Sequence, residues 1–274
     1  MLAERQTAGG RALAWILRLW ILLAFGIVLA DMADSAKIPW SPPGRSIPPP
    51  DRLGKEGPAV PMPLPPAGPG DQLRPYDPTI FPMRPDGGTP QLPGGGALEP
   101  SYGPMKFSWI DLEGRPAILA VGTIEPGAAA ALRRFDLQHD ERAEVLVLFS
   151  PGGAVQEALI MGEYIRARSI ETLVPGGAYC ASACPLLLAA GERRRVARDA
   201  WIGLHQPYFA KAAGLSPDVA VAEVQRLNYQ ILTRLDRWGV DPRVWTHALQ
   251  ALPAEMYVLL PEELMAYRMA HSLF

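Results

Sequence analysis

Ser150-Pro-Gly-Gly153, Gly176-Gly-Ala-Tyr-Cys-Ala-Ser182-Ala-Cys184 and Gly203-Leu-His205-Gln-Pro207 are the turns whose reading decides the fold. Each follows an apolar run of strand length, so each is expected at the carboxyl end of a strand, where open α/β sheets place their ligands. A glycine turn, a serine among small residues and a lone histidine at such strand ends make a site-like arrangement.

Upstream of the first turn, Ala117-Ile-Leu-Ala-Val-Gly-Thr123 suits a strand buried on both faces. Pro126 opens an alanine-rich helix running to about Leu137, and Val145 to Phe149 is the next strand. This is β-α-β grammar with a parallel sheet, hence an α/β fold class. After Gly153, apolar residues Val155, Leu159, Ile160 and Ile165 recur at helical spacing, and Ile170 to Val174 reads as the following strand. Pro185 to Ala190 is helical in pattern with Gly191 placed to end it, so Ser182 falls near a helix N-terminus, where outward N–H groups favour negative charge. Ser216-Pro217 starts a long helix whose stripe, Ala220, Val224, Leu227, Ile231, Leu235 and Trp238, belongs to the core or to a subunit interface; Gly239 stops it. A second helix starts at Asp241-Pro242, and Tyr257 to Leu260 gives a short final strand.

About two-thirds of the thirty prolines of this 274-residue chain lie between Pro39 and Pro104. Proline removes amide donors and the interleaved glycines add chain entropy, so residues 31–104 read as an extended, disordered linker and 105–274 as one domain. The formal net charge of −2 comes with mixed signs and no basic stripe, so nucleic acid is not an expected partner. In the first thirty residues, Arg5 and Arg11 precede the apolar run Ala12 to Ala30, interrupted at Arg18, and Asp31 and Asp34 come after it. That bias leaves the N-terminus in the cytoplasm and exports the chain beyond the run. With Arg18 in the charged leader, Leu19 to Leu29 and Val28-Leu-Ala30 make a cleavable signal peptide. With Arg18 tolerated, the run is a retained membrane anchor. Either places the domain in the periplasm or on the outer face of the inner membrane.

A serine at a helix start is by itself an ordinary N-cap, and one histidine by itself an ordinary hydrogen-bonded side chain. A nucleophilic serine needs a base, an acid to orient that base, and two N–H donors for the tetrahedral oxygen. Ser182, His205, the carboxylates of the C-terminal segment and the Gly152-Gly153 turn beside the Ala183 amide supply all of these kinds of group. Cys180 and Cys184 flank Ser182 and are the only cysteines. In an oxidising compartment they are a disulfide candidate; two small buried residues, or a cysteine nucleophile, are the alternatives. Two thiols without a nearby histidine pair lack the ligands for a metal, and no cofactor is expected. His139, His247 and His271 sit outside any motif and read as surface or structural residues.

Ser150-Pro-Gly-Gly-Ala-Val, the Cys-Ala-Ser-Ala turn leading into Leu-Leu-Leu-Ala-Ala-Gly191, and Ile202-Gly-Leu-His-Gln-Pro207 together resemble the ClpP-like serine peptidases of the ClpP/crotonase superfamily, especially exported members with a Cys-x-Ser-x-Cys turn. The resemblance runs from Ala117 to the C-terminus in the same order. It implies a ClpP/crotonase-like fold of repeated β-β-α units, Ser182 as nucleophile, His205 as base, and Gly153 with Ala183 as oxyanion donors. The family's acid precedes a short strand and a Pro-Glu helix start; the matching position is Glu255, with Glu262 and Glu263 as alternatives. The chain departs from Clp subunits in having Ala183 after the serine and Tyr-Cys-Ala before it. A Ser-Lys dyad would need Lys106 or Lys211, and neither sits in such a motif. The expectation is an exported or membrane-tethered serine hydrolase acting on a peptide or protein, with homo-oligomers open. The alternative is an inactive relative that binds peptides or assembles envelope components through its groove and proline-rich arm.

Overall fold

The chain divides into two units, Met1–Gly57 and Pro58–Phe274. The computed structural model describes Arg18 of the first and residues 67–76, 89–101, 103–208, 216–252 and 254–274 of the second. The expected signal peptide or anchor, apart from Arg18, and Lys211 therefore lie outside the described residues. Among the described residues no helix is long and apolar enough to cross a membrane.

The domain is mixed α/β, with two mixed sheets. Strands β2 (Lys106–Leu112) and β3 (Arg115–Val121) form an antiparallel hairpin. Its turn, Glu113-Gly114, has φ of 58° and 78°, the left-handed pair that a two-residue hairpin with native twist requires. From β3 the chain crosses through helix α1 (Ala128–Leu137) to β4 (Val145–Phe149), and through α2 (Val155–Ala167) to β5 (Glu171–Val174), all three strands parallel. Every residue of β4 is buried, as its unbroken apolar sequence demands of a strand covered on both faces.

The chain then leaves this sheet. Strand β6 (Tyr179–Ala181) pairs in parallel with β8 (Trp201–Leu204), while helix α3 (Cys184–Ala190) leads back to β7 (Arg194–Val196) beside β5. After β8 come α4 (Pro217–Arg237), a 3-10 turn at Pro242–Val244, α5 (Trp245–Gln250), β9 (Glu255–Val258), α6 (Pro261–Ala266) and β10 (Ser272–Leu273). With β1 (Leu73–Pro75), the strand orders are β10-β7-β5-β4-β3-β2 and β1-β9-β8-β6. The sheets are joined at Ser150: its amide donates to Tyr179 O (2.8 Å) and its carbonyl accepts from Ala181 N (3.1 Å).

The parallel sheet expected from the β-α-β pattern is the run β3-β4-β5-β7, and a second sheet lies beside it because β6, β8 and β9, three or four residues each, are too short to show a period. The final strand is not Tyr257 to Leu260 but β10. Residues 67–76, 89–101, 103 and 104 of the proline-rich segment contact the domain, through β1 on β9, Gln91 N donating to Gly176 O (3.0 Å), and a buried Leu98. Proline there is compatible with pairing because Pro75 ends an edge strand, where a missing donor costs no ladder bond.

Helices α2, α3 and α4 meet over a small-residue contact. A Cβ on Gly162 would lie 2.6 Å from the Trp238 ring, so only glycine lets that indole close the core. Leu227, Ile231, Leu235 and Trp238 of the α4 stripe are buried, whereas the first turns of α4 expose Val219 and Val221. Beneath the helix ends lies Arg194, 1 % exposed. Its Nε donates to Arg268 O, its Nη1 to Ala189 O, Gly191 O and Trp238 O, and its Nη2 meets His271 Nε2 at 2.8 Å. The cation is held by carbonyls at and just beyond the C-termini of α3, α4 and α6, where the helix dipole is negative.

Candidate active site

Ser182 lies between β6 and α3 with φ of 59°. Left-handed backbone costs a non-glycine residue about 1–3 kcal/mol and persists only where the surroundings impose it. Here the Ser182 amide donates to Gly203 O (2.9 Å), and a Cys180–Cys184 disulfide, Cα to Cα 5.2 Å, ties the strand end to the helix start. The sharp strand-to-helix turn lifts the hydroxyl out of the sheet, the geometry of a nucleophile elbow. Both cysteines are fully buried.

His205 follows β8, which pairs in register with β6, Ala181 opposite Gly203. The two functional side chains therefore emerge from adjacent strands, and His205 Nε2 stands 2.6 Å from Ser182 Oγ. For the hydroxyl to donate, Nε2 must be the unprotonated nitrogen, so the proton of the neutral ring sits on Nδ1. Burial pushes the imidazole down to about 4, which keeps the ring neutral and able to accept a proton at physiological pH.

The glycine turn packs directly on the serine turn. A Cβ on Gly152 would lie 2.4 Å from Ala181 O, 2.5 Å from Ser182 Cβ and 2.7 Å from Ala183 N. Gly152 N donates to Ser150 Oγ, and a parallel bridge to Ile124 uses Gly152 O and the Ala154 amide. In that pattern the Gly153 N–H points away from Ile124. Gly153 joins Ser182 and His205 in lining the same cleft. The Ala183 amide stands beside it at the N-cap of α3, within 2.7 Å of where a Cβ on Gly152 would lie.

Glu255 does not join them. Strands β8 and β9 are antiparallel with Leu204 opposite Tyr257, so continuing the register puts Met256 opposite His205 and Glu255 opposite Gln206. Side chains alternate across a strand, and Glu255 is thereby on the far face from the imidazole. Met256 takes the near face; a Cβ on Gly203 would lie 1.7 Å from its sulfur. The Glu255 carboxylate instead approaches Leu252 N (3.5 Å), and Glu263 accepts from Tyr257 Oη and Leu260 N. His205 Nδ1 is buried and has no hydrogen-bond partner. Among the described residues Ser182 and His205 are thus brought together, while no carboxylate bonds His205 Nδ1.

No protein-family model and no curated protein matches the chain.

The cleft over Ser182 and His205, about 220 Å³, is lined among the described residues by Tyr76, Val155, Pro207, Tyr208 and Trp245 besides Gly153, Ser182 and His205, none of which carries a formal charge at neutral pH. Trp245 is fixed by donating Nε1 to Asn228 Oδ1 (3.0 Å). These aromatic residues were not legible as site residues: Tyr76 sits in the proline-rich segment, and Trp245 has the spacing of a core helix. The other histidines are structural. His139 stacks on Trp109, His247 stacks on Tyr257 and meets Tyr267 Oη, and His271 meets Arg194. Among the described residues no group of three or more His, Cys, Asp or Glu could hold a metal ion.

Proposed function

We propose that this chain is an exported or membrane-tethered serine hydrolase of ClpP/crotonase-like fold that cleaves peptides or proteins. The observation that carries this reading is the 2.6 Å approach of His205 Nε2 to Ser182 Oγ at a left-handed strand-to-helix turn. In acylation, Ser182 Oγ bonds to the substrate carbonyl carbon while its proton passes to His205 Nε2. The carbonyl electron pair moves onto oxygen, which accepts from the Gly153 and Ala183 amides. Collapse of this intermediate breaks the scissile bond, and the imidazolium returns its proton to the departing amine. A water then repeats the sequence on the acyl-enzyme, delivering its proton to His205 and releasing the acid and Ser182. No group besides substrate and water is required.

Export is supported by the charge bias around the apolar N-terminal run and by the cystine, a bond that persists in oxidising compartments. A reporter fused after Phe274 should be active outside the cytoplasm; activity confined to the cytoplasm removes the export reading. One observation favours the second reading, a peptide-binding scaffold: the missing partner at His205 Nδ1. A fluorophosphonate probe separates the two. The hydrolase requires labelling of the wild type and none of Ser182→Ala, whereas a wild type that stays unlabelled across pH 5–9 is a scaffold.

A further inference from the structure

We infer that Tyr76, delivered by a strand arm from the proline-rich segment, is a positioning residue for His205 and fills the orienting role that no carboxylate takes. The proposal rests on the reading of Ser182 and His205 as a dyad.

The imidazole has one hydrogen bond, to Ser182, and none at Nδ1. A ring held at one end can swing about its bonds, and each degree of misorientation lowers the fraction of enzyme ready to take the proton. Packing must supply the second restraint. The Tyr76 ring lies 4.7 Å from the His205 ring, tilted by 46°, and the Tyr208 ring lies further off at 5.7 Å. On its inward face β9 offers only Met256 at this position.

Tyr76 is itself fixed. Strand β1 pairs with β9, Leu73 opposite Tyr257 and Pro75 opposite Glu255. Two backbone bonds extend this pairing, Val258 N to Gln72 O (2.9 Å) and Tyr76 N to Ala254 O (3.0 Å). Alternation then turns Arg74 and Tyr76 to the face that carries Met256 and His205. At the far end of the ring the hydroxyl donates to Pro151 O at 2.9 Å in a buried bond. That carbonyl belongs to the turn bearing Gly152 and Gly153, so one side chain ties the base to the oxyanion turn.

Among the described residues, the groups around His205 are the Ser182 hydroxyl from the β6–α3 turn, the Tyr76 phenol from the arm, the Tyr208 phenol from its own segment and Trp245 of α5 in the same cleft, with Met256 of β9 on the same face. Arg74 of β1 also turns to this face, opposite Met256 and ion-paired with Asp71, and burial is what lowers the proton affinity of the ring. Removing Tyr76 opens the imidazole to water, and the proton affinity must rise.

The test is the titration of the His205 ring, followed by NMR in the full chain, alongside the rate of fluorophosphonate labelling. In Tyr76→Ala the His205 midpoint should rise by at least about one unit toward the ordinary value near 6.5, and labelling should slow roughly tenfold or more. Tyr76→Phe keeps the ring and loses the Pro151 bond; its midpoint should stay with the wild type and its labelling should fall only a few-fold. Superimposable His205 titrations in wild type and Tyr76→Ala overturn the positioning role, as does a Tyr76→Phe that behaves like Tyr76→Ala. If Tyr76→Ala does not fold, Tyr76→Leu keeps the apolar bulk without the planar face, and an unchanged His205 ring environment in that variant overturns the proposal. A wild type in which His205 titrates near 4 but never labels removes the hydrolase reading and leaves the Tyr76–His205 contact tested on its own.

Discussion

On the proposed reading His205 is a base, and among the described residues it has no counter-ion; both consequences can be measured. Its low proton affinity keeps it unprotonated far into the acid range, so kcat/KM should stay level below pH 6.5 and fall only as pH approaches the folded value of about 4. A break near 6.5 would mean that the imidazole is hydrated in solution. The same depression links folding to pH. Between about 4 and 6.5 the unfolded chain binds a proton that the folded chain does not, so stability rises with pH across that window, by about 1.4 kcal/mol per unit, and is lost as pH falls through it. The urea midpoint of the wild type should therefore fall more steeply from pH 6.5 to 5 than that of His205→Gln. Glu255 gives the opposite expectation. Because it lies on the far face of β9, Glu255→Gln should leave turnover essentially intact while His205→Ala loses roughly 10³- to 10⁴-fold; an equal loss in both would restore a triad.

Ser182 and His205 were legible in the sequence because each ends an apolar run with its own turn chemistry, and turn chemistry is local. The expectation for Glu255 came from its position along the chain, whereas its distance from His205 depends on strand register. That register is set across the sheet, by Gly203 making room for Met256. Tyr76 was invisible for the complementary reason. Its segment has the composition of a linker, and what orders it is an edge of β9 that lies about 180 residues further along the chain.

At the scale of elements, the turns around the serine depend on contacts that leave no freedom. Gly152→Ala places a methyl against Ala181 O and the Ser182 turn, and its φ of 98° disfavours any other side chain. We expect it to fold and to lose about 10²- to 10³-fold in labelling rate, the cost of displacing an oxyanion donor. Labelling at the wild-type rate would remove the glycine turn from the site. The Cys180–Cys184 bond closes a five-residue loop around the nucleophile. On chain-entropy grounds its loss in Cys180→Ala/Cys184→Ala should cost about 2 kcal/mol, read as a lower urea midpoint. Since both sulfurs are buried, the native protein should resist thiol reagents until it is reduced, and free alkylation without reductant would reject the bridge.

At the scale of the whole molecule, the order of strands and helices from Ala117 to Val174 was readable from periodicity. The second sheet was not, since β6, β8 and β9 have three or four residues each and no alternation to detect. Arg194 was equally hidden, an arginine whose partners are carbonyls contributed by helix ends scattered over eighty residues. Replacing it by methionine removes the donor from the Ala189, Trp238 and Arg268 carbonyls, Gly191 O keeping Arg166 Nη1, and we expect about 3 kcal/mol of destabilisation in denaturant titrations; a neutral substitution would mean that water takes its place.

The two sheets are joined at Ser150, and the division of labour follows that seam. On the proposed reading, nucleophile and base ride on the four-stranded sheet, while the Gly153 donor follows the end of β4 in the other. A small shear between the layers would leave the serine and histidine in contact yet withdraw half of the oxyanion cradle. Mild heat or low denaturant should then produce molecules whose imidazole still senses Ser182 in its spectrum but which no longer turn over: an enzyme that idles before it melts.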